Sequence, residues 1–231
     1  MRVSHVVGCA VALALAGATL IGAPRQGDMD KAVEGGGVFV PGWTGAVDGQ
    51  GLTLKDAKFV KEGDAFHVTT GPATTYWNTA NKASGDYTVK ATFTEPHYMN
   101  LNPSHPHPYG IVIAGNDMDG AGRTYLYCAA YGNGNFIVRG FGPEAFQMNG
   151  RRGGASDAVH KAAGVGQPVT QDIAFSVKGD NASCSINGTV VATYSKADLV
   201  TAGKLKSLDG IYGLRFAHNV EVLVKGLALT K

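Results

Sequence analysis

Apolar and polar residues alternate along most of the chain beyond residue 38, and this alternation predicts an all-β fold. In segments 87–93 (Tyr-Thr-Val-Lys-Ala-Thr-Phe) and 173–178 (Ile-Ala-Phe-Ser-Val-Lys), every second residue is apolar. A period of two places one side of a strand in a core and the other toward water. Strands are predicted at 59–60, 65–70, 87–94, 110–114, 124–131, 135–140, 171–178, 182–187, 189–194, 210–216 and 220–230. Many short strands with regular turn signals indicate a sandwich or a barrel.

The segments between the strands carry turn residues. Asn187-Gly188 joins two predicted strands, and Asn-Gly is favoured in two-residue hairpins because both residues tolerate positive φ. The 33 glycines among 231 residues fit a chain with many tight turns. Helical patterning is confined to two short segments, 155–163 and 195–202.

The N-terminus has the pattern of a secretory signal. Arg2 precedes an apolar run from Val6 to Gly22 that contains small residues. The run is at the short limit for a membrane span, which favours a cleaved signal over residues 1–23 against an anchor. We therefore predict a secreted or periplasmic protein with no membrane span after cleavage. Residues 24–37 are polar and Gly-rich, which indicates a flexible lead-in. We predict that residues 38–231 form one domain.

Charge and cysteine content limit the classes of binding partner and bear on the redox environment of the protein. Charged residues make up 16% of the chain and the net charge is +2, which argues against a nucleic-acid partner because such proteins carry a clustered basic face. Cys9 falls within the predicted signal, which leaves Cys128 and Cys184. A disulfide in an oxidising compartment and two buried thiols are both compatible with the sequence.

The C-terminal half carries an ordered set of motifs. They are Ser-Cys-Ser-Ile-Asn-Gly-Thr-Val-Val at 183–191, Gly-Ile-Tyr-Gly-Leu-Arg-Phe-Ala-His at 210–218 and a closing strand at 219–227, and 86–93 matches a first core strand. This order resembles the concanavalin A-like lectin/glucanase superfamily, and within it the bacterial 3-keto-disaccharide hydrolase domain. The resemblance implies a jelly-roll β-sandwich of two antiparallel sheets over residues 40–231 and a carbohydrate ligand.

The chain also departs from that family's pattern. Segment 166–170 lacks the Trp that often precedes the long hairpin, and the closing strand lacks Phe-Arg-Asn. The resemblance therefore implies the fold and not the activity. Glucanases of the superfamily place their carboxylates on one strand as Glu-x-Asp-x-x-Glu, because glycoside hydrolysis needs two carboxylates close together. No glutamate here begins the whole motif: Glu62-Gly63-Asp64 matches its first part, but His67 stands where the second glutamate would follow, which argues against a retaining glucanase.

A proline-rich segment at 103–110 is the first candidate for a site. His105 and His107 lie on an extended backbone that prolines stiffen, so their side chains share one side. We predict that they contact a sugar, or hold a divalent metal ion together with Asp117; the alternative is a rigid surface loop. Segment 116–120 resembles either a calcium-binding turn or an ordinary turn of Asx residues.

Aromatic and cationic residues of the central strands form the second candidate. Tyr125 and Tyr127 share a face that either forms the floor of a ligand site or lies in the core. Arg139 and Arg215 interrupt apolar strands, which is costly unless the charge is paired or wet. The predicted ligand-binding residues are His105, His107, Tyr109, Tyr125, Tyr127, Arg139, Arg215 and His218.

Three functions are compatible with these observations. The first is an exported carbohydrate-binding domain, and the second is an enzyme on modified (keto) glycosides that a metal ion assists. The third is a non-catalytic interaction domain of the cell envelope.

Overall fold

The computed structural model describes residues 1, 29–49 and 51–231, and nearly all of its regular structure is strand. The strands are β1 (Gly37–Val38), β2 (Trp43–Val47), β3 (Ala57–Glu62), β4 (Ala65–Thr70), β5 (Thr74–Ala83), β6 (Tyr87–Glu95), β7 (Tyr109–Asn116), β8 (Thr124–Ala130), β9 (Asn135–Phe141), β10 (Ala145–Gln147), β11 (Gly154–Ala155), β12 (Val169–Lys178), β13 (Asn181–Ile186), β14 (Thr189–Ser195), β15 (Gly210–Phe216) and β16 (Glu221–Thr230). A single 3₁₀ turn (Leu54–Asp56) and one short helix, α1 (Lys196–Leu199), complete the described elements.

The strands form two sheets that pack face to face. The first sheet has the order β1-β3-β4-β16-β6-β12-β13-β14, and the second has the order β10-β9-β8-β7-β15-β5-β2 with β11 beside β9. All strand pairs are antiparallel except β1 with β3. The prediction of an all-β jelly-roll sandwich of two antiparallel sheets is confirmed.

The local predictions mostly hold. Asn187 and Gly188 have φ values of 50° and 83°, as a two-residue hairpin between β13 and β14 requires. Helix α1 lies inside the predicted segment 195–202. The predicted helix at 155–163 is wrong, because side chains from elsewhere bind its backbone. Gln171 pairs with both backbone groups of His160, and Asn187 donates to the carbonyl of Ala158.

Aromatic rings from both sheets fill the space between them. Phe59 of the first sheet stacks on Tyr76 of the second with ring centroids 4.6 Å apart, and Phe93 stacks on Tyr109 at 5.9 Å. Phe216 contacts this layer as well. Such rings bury large areas, so this layer supplies much of the apolar stabilisation between the sheets.

A disulfide joins the two sheets through the core. Cys128 of β8 and Cys184 of β13 are both fully buried, with their Cα atoms 6.0 Å apart. Of the two states that the sequence left open, the structure has the disulfide.

The predicted signal over residues 1–23 lies outside the described residues, apart from Met1. Within the described chain, no helix is both long enough and apolar enough to cross a bilayer.

We expect loss of the disulfide to destabilise the fold. The bond closes a loop with a sequence separation of 56, for which the chain-entropy relation gives up to about 4 kcal/mol. Cys128→Ala/Cys184→Ala should therefore lower the free energy of unfolding in urea by about 2–4 kcal/mol. As a control, reductant should destabilise the wild type and leave the double variant unchanged. Equal stability of the wild type and the double variant in the absence of reductant would contradict the expectation.

Glu95 should make stability depend on pH. This side chain at the end of β6 is 4% exposed, and burial raises its pKa from 4.5 to about 7 although the backbone N–H of Met99 donates to it. The folded state therefore holds the proton more tightly, and this group costs stability progressively as pH rises from 4.5 to 7.

Glu95→Gln removes that cost. In urea unfolding, the variant should be about as stable as wild type at pH 4 and more stable by up to roughly 3 kcal/mol at pH 8, since one pKa unit corresponds to about 1.4 kcal/mol. Because the variant and the wild type are compared at the same pH, the contributions of all other titrating groups to stability cancel. If the difference in unfolding free energy between the variant and the wild type did not change with pH, burial would not raise the pKa of Glu95.

Candidate functional site

The side of the second sheet that faces away from the first sheet carries its own buried apolar cluster. On β8, Leu126 and Cys128 point into the core between the sheets, whereas Tyr125, Tyr127 and Ala129 belong to the outer cluster. This is the division of faces that the alternation predicts. The two tyrosines therefore form the floor of an outer surface and not part of the central core. The whole cluster is Trp77, Val112, Met118, Tyr125, Tyr127, Ala129 and Ile137.

Arg215 lies across this floor and is held by a network of polar groups. Its guanidinium donates to both carboxylate oxygens of Asp48 and, at 2.9 Å, to the hydroxyl of Thr75. The Thr75 hydroxyl also contacts the Tyr125 hydroxyl at 3.0 Å. The guanidinium carbon lies 5.5 Å from the ring centroid of Tyr127 and 5.4 Å from that of Phe141. Pairing and cation–π contacts explain how a buried cation is tolerated on an apolar surface.

Arg139 lies beside Arg215 on the same face. It is opposite Tyr127 in the register between β8 and β9, so its side chain shares the tyrosine's face. Its Nε atom is buried and has no hydrogen-bond partner among the described residues. Burial raises the pKa of Tyr127, although Arg215 and Arg139 oppose the shift. Tyr127 is thus a neutral phenol beside two guanidinium groups.

Three histidines form one wall of the surface. His107 precedes β7 and His218 follows β15, and these strands pair Tyr109 with Phe216. The register therefore brings both histidines to the same end of the sheet, and His105 joins them. The ring centroids of His105 and His107 lie 4.3 Å apart, and those of His107 and His218 lie 4.1 Å apart. These three residues are a group that could hold a metal ion.

Three adjoining clefts make this face a groove. The central cleft, about 330 Å³, lies between the histidines, Tyr127, Arg139 and Arg215. A second, about 460 Å³, shares His105 and Tyr131 with it, and a third, about 200 Å³, shares Asp48. We call the three together the groove. Every arginine in residues 29–49 and 51–231 lines it, whereas no lysine does; these arginines are Arg123, Arg139, Arg151, Arg152 and Arg215. Asp48 is the one carboxylate of the described lining.

Comparisons with known proteins identify the fold. No family model matches the chain, and no curated protein matches it in sequence. The carbohydrate-binding module CBM66 from Bacillus subtilis matches with a TM-score of 0.50 and 11% identity, over 82% of this chain and 96% of that one. A Bacillus subtilis protein of unknown function with a galectin-like fold matches with a TM-score of 0.51 and 11% identity, over 81% of this chain and 88% of that one. At such low identity the likeness shows a lectin-like jelly roll.

The structure brings together most of the residues predicted from the sequence. His105, His107, Tyr127, Arg139, Arg215 and His218 line the central cleft, and Tyr125 lines the neighbouring one. Tyr109 lies instead in the core between the sheets, stacked on Phe93. Asp117 does not join the histidines; it pairs with Lys206 in a turn closed by a bond from Gly120 N to Asp117 O.

Several residues of the groove and of the floor beneath it were not predicted. Asp48, Thr75 and Trp77 come from β5 and the end of β2, two strands that the sequence analysis missed. The second half of β5 is polar, with Asn78 and Lys82, which obscures the alternation. Arg123 lies 5.8 Å from the Trp77 ring centroid in a loop without periodicity. The run Thr74-Thr75-Tyr76-Trp77, rich in residues favoured in strands, was the signal that could have located β5.

Asp48→Asn should destabilise the fold. It removes the charge partner of Arg215, whose side chain is 7% exposed, and leaves a buried cation under-compensated. We expect a loss of about 1–3 kcal/mol in urea unfolding. The control is Asp64→Asn, which removes an exposed pair with Lys225 and should cost at most about 1 kcal/mol. Equal effects of the two substitutions would mean that Arg215 does not depend on Asp48.

Proposed function

We propose that this chain is an exported protein that binds an acidic glycan, a saccharide bearing carboxylate or sulfate groups, in the groove. The observation that carries the proposal is the distribution of its cations: all arginines of the described chain line the groove and the lysines lie elsewhere. The groove lining carries five arginines against the single carboxylate of Asp48, whereas the chain as a whole has a net charge of only +2, so this surface has a local excess of positive charge.

The choice of arginine indicates the chemistry of the ligand. A guanidinium is a planar fork that donates two parallel hydrogen bonds to a carboxylate or sulfate, and an ammonium group lacks this geometry. Arg215 is already engaged by Asp48. Arg139 is half-buried and lines the central cleft, and Arg151 reaches the same cleft from the loop before β11. Arg139 and Arg151 are therefore the arginines that we expect to contact anionic groups of the ligand.

Aromatic and amide groups provide the remaining contacts of a sugar site. Tyr131 lines both the central and the second cleft, and Asn133 and Asn135 line the second cleft with it. Sugar rings present apolar faces to aromatic rings and hydroxyls to planar amides, so this lining suits a chain of saccharide units. The lectin-like jelly roll agrees with such a ligand.

Export rests on two observations. The N-terminal sequence has a basic start and an apolar run, and the disulfide between Cys128 and Cys184 is a bond that persists in oxidising compartments. Enzymatic action on keto-glycosides and a cell-envelope interaction role stay predictions from the sequence.

The test measures the affinity of the purified protein for matched acidic and neutral oligosaccharides. Oligogalacturonate is compared with its methyl ester, and chondroitin sulfate with chondroitin, by isothermal titration calorimetry. We expect binding of at least one acidic member, weakening of at least tenfold for its less charged form, and a further decrease from about 50 to about 500 mM salt because screening shortens the reach of the arginine charges.

Variants locate the binding in the groove. Arg139→Gln should weaken binding by roughly tenfold to a hundredfold, since a hydrogen bond to a charged group contributes about 1.5–3 kcal/mol. Lys90→Gln is the matched control, because it removes one positive charge from the outer face of the first sheet and should leave binding unchanged. Equal affinity for acidic and neutral forms, or tighter binding of a single-stranded oligonucleotide, would overturn the proposal.

A further inference from the structure

The histidine cluster is built by the register of the second sheet. The backbone N–H of Ala217 donates to the carbonyl of Pro108 at 2.9 Å, which extends the pairing of β7 with β15 by one step beyond Tyr109 and Phe216. His107 and His218 lie next to this bond on the two segments. Their proximity is therefore fixed by the sheet and not by a chance approach of loops.

The spacing of the imidazole nitrogens suits one metal ion. Taking one nitrogen from each of His105, His107 and His218, all three lie within 4.8 Å of one another. His105 Nε2 and His107 Nε2 are 2.8 Å apart. Ligands on a tetrahedral zinc ion at 2.0–2.1 Å lie roughly 3.4 Å from one another. Small side-chain rotations would thus bring the three nitrogens to coordination distance.

Contacts outside the cluster orient two of the rings. His218 Nδ1 contacts the Asp30 carboxylate at 3.0 Å, and His105 Nδ1 contacts the Ser104 hydroxyl at 3.2 Å. Metal-binding histidines in proteins usually engage their second nitrogen in this way, with a carboxylate as a frequent partner. Nε2 is therefore the nitrogen that His105 and His218 would offer to a metal ion.

Asp30 is itself held in place by the neighbour of His218. Asn219 accepts a hydrogen bond from Lys31 N at 2.7 Å and donates one to Met29 O at 2.9 Å. The backbone on both sides of Asp30 is thus fixed against the segment that carries His218. Hydrogen bonds thus hold Asp30 in place beside His218, and we assign Asp30 the role of positioning the His218 ring.

We propose that His105, His107 and His218 together bind one divalent transition-metal ion of the zinc type. Three neutral imidazoles favour zinc and its neighbours and disfavour magnesium and calcium, which require oxygen ligands. Sites with three histidines leave a further coordination position for water or ligand. All three residues line the central cleft with Arg139 and Tyr127, so a metal ion held by them would lie at the wall of the groove.

The metal site does not depend on the proposed glycan. Where both are present, a hydroxyl or carboxylate oxygen of the saccharide is the group that would complete the coordination, since the ion forms part of the cleft wall. The metal would then add a directed contact to the attraction provided by the arginines.

The test uses the purified, untagged protein, because a polyhistidine tag would bind the same ions. After removal of metal with a chelator, Zn²⁺ is titrated by calorimetry and Co²⁺ by visible absorption. We expect one ion per chain, the intense visible bands of a four- or five-coordinate Co²⁺ centre, and no binding of Mg²⁺ or Ca²⁺ at the same concentrations.

Variants identify the ligands. His105→Ala and His218→Ala should each weaken Zn²⁺ binding at least tenfold, and Asp30→Asn should weaken it roughly tenfold to a hundredfold while the stoichiometry stays one. His97→Ala is the control, because this exposed histidine is near in sequence and outside the cluster. Circular dichroism confirms that each variant is folded.

Absence of Zn²⁺ and Co²⁺ binding by the wild type, or equal binding by the wild type and the His105 and His218 variants, would overturn the metal site. Since no saccharide is present in these titrations, that result would leave the glycan proposal untouched. Conversely, a protein that binds zinc but no acidic glycan would support this inference alone.

Discussion

The register of the central strands of the second sheet is the constraint on which the rest of the structure depends. Strands β7, β8 and β15 each supply one set of side chains to the core between the sheets and the other set to the outer face that carries the groove. A slip of one residue would exchange the two sets. Because Cys128 bonds to Cys184 across the core, the disulfide fixes this register and so also fixes Tyr127 on the opposite face.

Arg215 shows how the groove accommodates buried charge. A lone cation at 6% exposure would be costly, and the structure offsets that cost with a carboxylate, a hydroxyl and two aromatic rings. One guanidinium is thereby turned into a rigid part of the floor. The remaining arginines have no comparable carboxylate in the groove, and this leaves an excess of positive charge at its surface.

Sequence patterns predicted the fold and much of the groove, and their failures have physical reasons. In β8 the period of two predicted that Tyr125 and Tyr127 share a face, but residues on both faces of this strand are buried, so the sequence could not tell which face is turned to the core. The same rule assigns Tyr109 to the core face with Ile111, but its position after two prolines obscured the start of the strand. The histidines were grouped with Asp117 by nearness along the chain, whereas the partner His218 comes from a strand that only the sheet register brings close.

Because arginines line the groove and lysines lie outside it, the groove and the rest of the surface should react with different chemical reagents. Reagents that acylate primary amines, as in coupling to a resin or a sensor surface, modify lysines, and no lysine of the described chain lines the groove. Lysine coupling within the described chain would thus attach the protein through side chains outside the lining of the groove. Within the described chain, dicarbonyl reagents, which attack guanidinium groups, would instead be directed to this one face.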